Sequence, residues 1–81
     1  MTPLCYIDLP LYERAAFELA CARRGFAPTH FEITGFAQMT GDTLERLVTV
    51  RRGGWAQSYR ASPARMWVFE FERDLLCNFF K

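Results

Sequence analysis

The sequence predicts an α+β fold: an N-terminal helix packed on an antiparallel sheet of three to four strands, followed by a short C-terminal helix. Three features carry this reading. A helical run after Pro10 ends at Gly25, two β-branched and aromatic runs flank Gly53-Gly54, and an apolar stretch follows Ser62-Pro63. The 81 residues fit one domain, 1–81, with no repeat, linker or low-complexity run.

Residues 4–9 (Leu-Cys-Tyr-Ile-Asp-Leu) can form a short strand ahead of the helix. Pro10 sits where a first helical turn tolerates a missing N–H, and the helix runs to Arg24 with Gly25 as its stop. At 100° per residue, Tyr12, Ala15, Ala16, Leu19 and Ala22 share one face, the expected core face. Phe17 and Cys21 fall nearly opposite, among Glu13, Arg14 and Arg24, and are expected either as an oligomer contact or as packing under a neighbouring loop.

After Pro28, His30 to Phe36 alternates apolar and polar residues up to Gly35 and reads as a strand with a bulge at the glycine. Thr40-Gly41-Asp42 reads as a turn. The Gly53-Gly54 loop sets a hairpin register of Arg52 opposite Trp55, Val50 opposite Gln57 and Val48 opposite Tyr59, the face expected inward. Arg51, Thr49 and Leu47 against Ala56, Ser58 and Arg60 form the expected solvent face. The C-terminal stretch has two readings. One is a strand at about 66–71 followed by a short helix at about 73–80, since Trp67, Phe69 and Phe71 alternate with Val68, Glu70 and Glu72; the other is a helix capped by Ser62-Pro63 that aligns Val68, Phe71, Leu75 and Phe79.

A chain this short hides only about 60% of the surface its unfolded form exposes. Eight phenylalanines, three tyrosines and two tryptophans exceed what such a core readily covers, which predicts a homo-oligomer or a partner interface. No run approaches the roughly 20 apolar residues of a membrane span, and the N-terminus lacks a signal-peptide pattern, so a cytoplasmic protein is expected. Cys5, Cys21 and Cys77 are read as reduced, mostly buried thiols.

Net charge is only +1, but its distribution is uneven. Residues 44–66 carry Arg46, Arg51, Arg52, Arg60 and Arg65 against Glu45 alone. Residues 1–43 lean acidic, with Arg14, Arg23 and Arg24 against Asp8, Glu13, Glu18, Glu32 and Asp42. Nine of the ten basic residues are arginine, which binds carboxylates and phosphates bidentately; an arginine-favouring codon bias gives the same skew.

His30 is the only histidine, and no spacing pairs it with Cys21 as a thiolate–imidazole couple. There is no Cys-x-x-Cys or His-x-x-x-His pair for zinc, and Gly53-Gly54 lacks the Gly-x-x-x-x-Gly-Lys pattern of a phosphate loop. No catalytic residue, metal or cofactor is therefore expected. The reading is a small regulatory binding protein that contacts an acidic partner, nucleic acid marginally before an acidic protein surface, through Arg51, Arg52 and Arg60 with Trp55 and Tyr59 as stacking faces. The alternative is a protein-binding module, an inhibitor or adaptor, anchored by the same aromatic and arginine side chains.

Tyr6-Ile7-Asp8-Leu9-Pro10, then a helix with Glu13, Ala16 and Leu19 ending in Arg23-Arg24-Gly25, resembles the strand and first helix of ribbon-helix-helix repressors over residues 4–39. That resemblance implies a DNA-binding dimer whose paired strands present Leu4, Tyr6 and Asp8 to the major groove, with a second helix after Ala27 crossing Gly35. The order of helix, strands and helix also resembles double-stranded-RNA-binding domains, whose lysine-rich second-helix start has no counterpart at Ser62-Pro63-Ala64-Arg65.

Overall fold

The computed structural model describes residues 2–62 and 66–80. It shows a mixed α+β architecture in which strand β1 (Thr2–Cys5) precedes helix α1 (Leu11–Arg23), strands β2 (Glu32–Thr40), β3 (Thr43–Arg52) and β4 (Trp55–Ala61) follow, and helix α2 (Trp67–Leu76) closes the chain. The four strands form one antiparallel sheet in the order β1-β2-β3-β4. Both helices contribute to one core against one sheet face, leaving the other face uncovered.

β1 is shorter and earlier than residues 4–9 because the Asp8 carboxylate accepts the Cys5 N–H at 2.9 Å and closes a 3-10 turn over Tyr6–Asp8. That hydrogen bond also holds the Asp8 carboxyl below its ordinary pKa. β1 pairs with its own chain's β2 (Leu4 opposite Gly35), and Ala27 leads into a 3-10 turn, Pro28–His30, and then β2. The second helix that a ribbon-helix-helix repressor would place after Ala27 is therefore a strand here. β2 has no bulge: its register runs unbroken from Glu32 opposite Arg51 to Thr40 opposite Thr43. Gly35 is needed for a different reason, since a Cβ there would meet the Leu47 carbonyl oxygen at 2.1 Å.

Helix α1 is turned about half a revolution from its expected orientation. Phe17 (1% exposed) and Cys21 (0%) lie in the core beside Ala20, so they are not a surface contact; Tyr12, Ala15, Leu19 and Ala22 face outward. Phe17 is the hub that fixes this choice, with ring centroids 5.1 Å from Phe71, 5.9 Å from Phe31 and 6.1 Å from Trp67. Burial pushes the Cys21 thiol up to about 12, which makes it a packing group. Cys5 and Cys77 are exposed, so the expectation of mostly buried thiols holds for Cys21 alone.

Glu13 shares this buried stripe because partners meet it there. Its carboxylate takes a hydrogen bond from each terminal nitrogen of Arg46 and one from Trp67 Nε1 at 2.8 Å. Burial alone would raise the Glu13 pKa, but the Arg46 and Trp67 hydrogen bonds and the Arg46 charge outweigh it and hold the carboxyl below its ordinary range. Three elements, α1, β3 and α2, are thereby joined at one ion.

α2 begins at Trp67, so residues 67–71 are helical and the strand reading of 66–71 fails. Helical spacing buries Trp67, Val68, Phe71 and Leu75 together, whereas a strand would have divided them between faces. The start expected at Pro63 lies outside the described residues. Both helices end in Schellman motifs with a residue at positive φ, Gly25 at 79° and Asn78 at 59°; Phe26 N–H reaches Cys21 O and Phe79 N–H reaches Asp74 O.

Candidate binding surface

The β3–β4 hairpin has the expected register: Arg52 opposite Trp55, Val50 opposite Gln57, Val48 opposite Tyr59. Gly53 takes φ 60° and Gly54 does not take positive φ, as in a turn with glycine at the first central position. Strand alternation then divides the five expected contact residues. Val48, Val50 and Tyr59 point into the core, while Arg51 and Arg60 lie on the open face.

Tyr59 is not a stacking face for a ligand. It is buried, stacks on Trp67 at 5.9 Å and donates its hydroxyl to Asp74 at 2.7 Å; burial, then that hydrogen bond, pushes its phenol well above the ordinary value. Arg52 is half-buried on the helix side, its guanidinium carbon 5.2 Å from the Phe26 ring centre. Trp55 remains 43% exposed with its ring 6.2 Å from Phe79. Together with His30, Gly53 and Gly54, these two line an open depression of about 430 Å³ at the hairpin tip. The expected set is thus split into Arg51 and Arg60 on one face, Arg52 and Trp55 at the tip, and Tyr59 inside.

The open face supplies residues that the charge pattern did not single out. Pro3, Phe36, Leu47 and Arg60 lie in one row across all four strands, and both Phe36 and Leu47 are exposed. The next row toward the Gly53 turn is Cys5, Thr34, Thr49 and Ser58, with Thr49 and Ser58 hydroxyls 2.8 Å apart. Beyond it Arg51 stands between Glu32 and Ala56. A groove of about 450 Å³ follows the first row, and its lining includes Phe36, Gln38, Glu45, Leu47, Arg60 and Ser62 together with Arg46 and Ala61. Parity was the available signal: Phe36 has the same strand parity as Glu32 and Thr34, which marks it as outward-facing.

The basic segment is therefore not a continuous cationic patch. Arg46 is tied to Glu13 on the covered side, Arg52 lies against Phe26, and Arg51 and Arg60 share the open face with Glu32 and Glu45. Arg65 lies outside the described residues. Cys21 is buried and His30 exposed, with His30 Nδ1 accepting the Ala27 N–H at 3.3 Å. Among the described residues, no group of three or more His, Cys, Asp or Glu is placed to hold a metal ion, and no helix is long and apolar enough to cross a membrane. The chain matches no protein-family model, no curated protein and no solved structure.

Proposed function

We propose that this is a non-catalytic binding module that engages an acidic segment of a partner protein on its open sheet face. The observation that carries the reading is the row in which exposed Phe36 and Leu47 lie beside Arg60, with Arg51 two residues further along the same face of β3 from Thr49. Apolar side chains give such a surface an anchor, and two arginines at its margin select carboxylates by bidentate pairing. Glu32 and Glu45 on the same face weaken the long-range field that a polyphosphate chain would need, which puts the protein partner ahead of nucleic acid. Nucleic acid is the second reading, supported by a Phe36 ring and two arginines on one flat face.

Affinity purification from host lysate, with and without nuclease, tests the choice. The expected result is a nuclease-resistant protein partner retained by wild type and lost from Arg51→Glu/Arg60→Glu and from Phe36→Ala. Recovery of nucleic acid instead, with affinity falling steeply and linearly on a log–log salt plot, would favour the second reading. Retention of every partner by both variants would remove the open face from consideration.

A further inference from the structure

The two outer edges of the sheet are chemically unlike. In the order β1-β2-β3-β4, the edge strands are β1 and β4. Along β1 the Cys5 N–H turns away from β2 to the Asp8 carboxylate, and strand alternation gives Pro3 the same outward orientation. Proline has no N–H to offer. The outer edge between Thr2 and Cys5 therefore presents no free donor, and β1 is closed to a further strand.

β4 has no such protection. It runs seven residues, Trp55–Ala61, without proline or lysine. Arg52 and Trp55 close the two-residue loop as a hydrogen-bonded pair, so Gln57, Tyr59 and Ala61 bond β3 in turn, while Ala56, Ser58 and Arg60 aim N–H and C=O outward. All three are exposed, and among the described residues no other backbone segment bonds to them. Gln57 is exposed as well, although it lies on the covered side, so α2 does not overhang this stretch of the edge.

Backbone donors and acceptors repeating at every second residue fit another extended backbone. Side chains then select which one. Ala56, Ser58 and Arg60 stand on the open face beside Arg51, Thr49 and Leu47 of β3. Among the described residues the ion pairs are those of Arg23 and Arg24 with Glu72 and of Arg46 with Glu13, which leaves Arg51 and Arg60 free to meet a partner's carboxylates. Arg60 faces the position directly opposite it on an added strand. Arg51 lies two strand spacings from such a strand, about 10 Å, and the small Ala56 in between leaves its path clear. Glu32 flanks Arg51 on the other side, which makes Arg60 the stronger selector.

The geometry points to an extended acidic segment of the partner adding to β4 as a further, antiparallel strand, with one carboxylate opposite Arg60, a second four residues later opposite Ala56 and within reach of Arg51, and a small polar residue opposite Ser58 between them. Antiparallel pairing is the more stable mode per residue and continues the pattern of the whole sheet. It also brings the preceding part of the partner to the Ala61 and Ser62 end of β4, where the groove beside Phe36 and Leu47 begins. The acidic character of the segment rests on the open-face reading, and its extended backbone rests on the edge of β4 alone.

Amide exchange followed by NMR tests it, with the acetylated and amidated peptide Thr-Glu-Val-Ser-Val-Glu-Thr at up to about 1 mM as the probe. Bound peptide should slow exchange at Ala56, Ser58 and Arg60 by about tenfold or more, with Gln57 and Tyr59, already bonded to β3, little changed. The same composition in the order Thr-Val-Glu-Ser-Glu-Val-Thr, which moves both carboxylates to the other face, should bind several-fold more weakly. Ser58→Pro removes the central outward N–H and should abolish binding while keeping the fold, since that N–H does not bond β3. Ser58→Ala keeps the N–H and should weaken binding far less. Circular dichroism checks folding, and the wild-type exchange pattern decides the matter if the proline variant does not fold. Peptide that binds without protecting these amides, and is weakened by Arg51→Glu/Arg60→Glu, overturns the added strand and leaves the open-face reading standing. Equal binding of the two peptides overturns the placement of the carboxylates. Absence of binding overturns the added strand, and so does protection that grows with protein concentration without peptide, which assigns the edge to a second copy of the chain; the open-face reading is then judged by its own affinity purification.

Discussion

Arg46 on β3 and Arg60 on β4 are a single register step apart, Arg46 opposite Ala61 and Leu47 opposite Arg60, yet they point to opposite faces of the sheet. On the covered face Arg46 is mostly buried and bound to Glu13; on the open face Arg60 is exposed beside Leu47. The same side chain is a structural ion in one place and a surface cation in the other. Charge counted along a strand overstates a basic patch, because alternation sends half of it to each side.

The largest effect should come from breaking the covered-face pair. Removing one partner of a buried ion pair leaves the other charge uncompensated and typically costs about 3–5 kcal/mol, a large share of the stability of a domain this size. Glu13→Ala and Arg46→Ala should each unfold the protein or sharply lower its urea midpoint. Replacing both by apolar residues, Glu13→Leu/Arg46→Met, should recover much of the loss. Recovery should stop short of wild type, because Trp67 Nε1 loses its acceptor. A double variant no better than either single one would mean that these residues act separately.

Acid should reveal the same pair without mutation. The folded-state Glu13 pKa lies below its ordinary 4.5. Its contribution is therefore fully present above that value and is lost as pH falls through the lower folded-state value. Glu72, held down by hydrogen bonds from Arg23 at 2.7 and 3.0 Å and from Arg24, acts in the same direction from a half-buried site. Stability from urea titrations should be level near neutrality and decline below about pH 4.5. Glu13→Gln should start lower and decline less; an identical decline would assign acid sensitivity to carboxylates other than Glu13.

Gly35 and Gly54 extend the contrast to backbone contacts. A Cβ at Gly35 meets the Leu47 carbonyl oxygen at 2.1 Å, so Gly35→Ala must displace β3 backbone and should cost about 1–3 kcal/mol, as overpacking generally does. Nothing lies within 4 Å of a Cβ at Gly54, and Gly54→Ala should stay within about 0.5 kcal/mol of wild type. Thermal melts of the two variants side by side check this. Equal melting temperatures would show that the β2–β3 approach yields easily.

Local patterns were legible in the sequence where one short-range rule had no competitor. Gly53-Gly54 determined a hairpin and its loop length determined the pairing of Val48 with Tyr59, while Gly25 ended α1. Patterns with two competing solutions were not. α1 offers apolar stripes on opposite sides, and the bulk of Phe17 within an aromatic cluster, together with an arginine from residue 46 for Glu13, decided between them. Neither long-range partner is visible from helical spacing. Residues 67–71 satisfy both strand alternation and helical spacing, and only the joint burial of Trp67, Val68, Phe71 and Leu75 separates the two. For the candidate site, Arg51 and Arg60 were legible as outward-facing; Phe36 was legible by parity only without the bulge expected at Gly35, and the neutralisation of Arg46 depended on a tertiary contact with Glu13.

The smallest stability effect, and the sharpest functional one, is expected at Arg51 and Arg60. Both are exposed on the open face, so Arg51→Ala/Arg60→Ala should leave the urea midpoint close to wild type, within the roughly ±0.5 kcal/mol usual for surface substitutions. Partner binding should weaken, the reverse of Arg46→Ala, where stability is lost first. Salt dependence then identifies the partner. Against an acidic protein segment anchored on Phe36 and Leu47, the double variant should lose affinity and an already modest salt slope should flatten by less than the nucleic-acid case requires. Against nucleic acid the log–log slope should become shallower by about two, one for each phosphate contact removed. If the double variant melts far below wild type, Arg51 and Arg60 are structural after all, and the division of labour between the two faces of the sheet is lost.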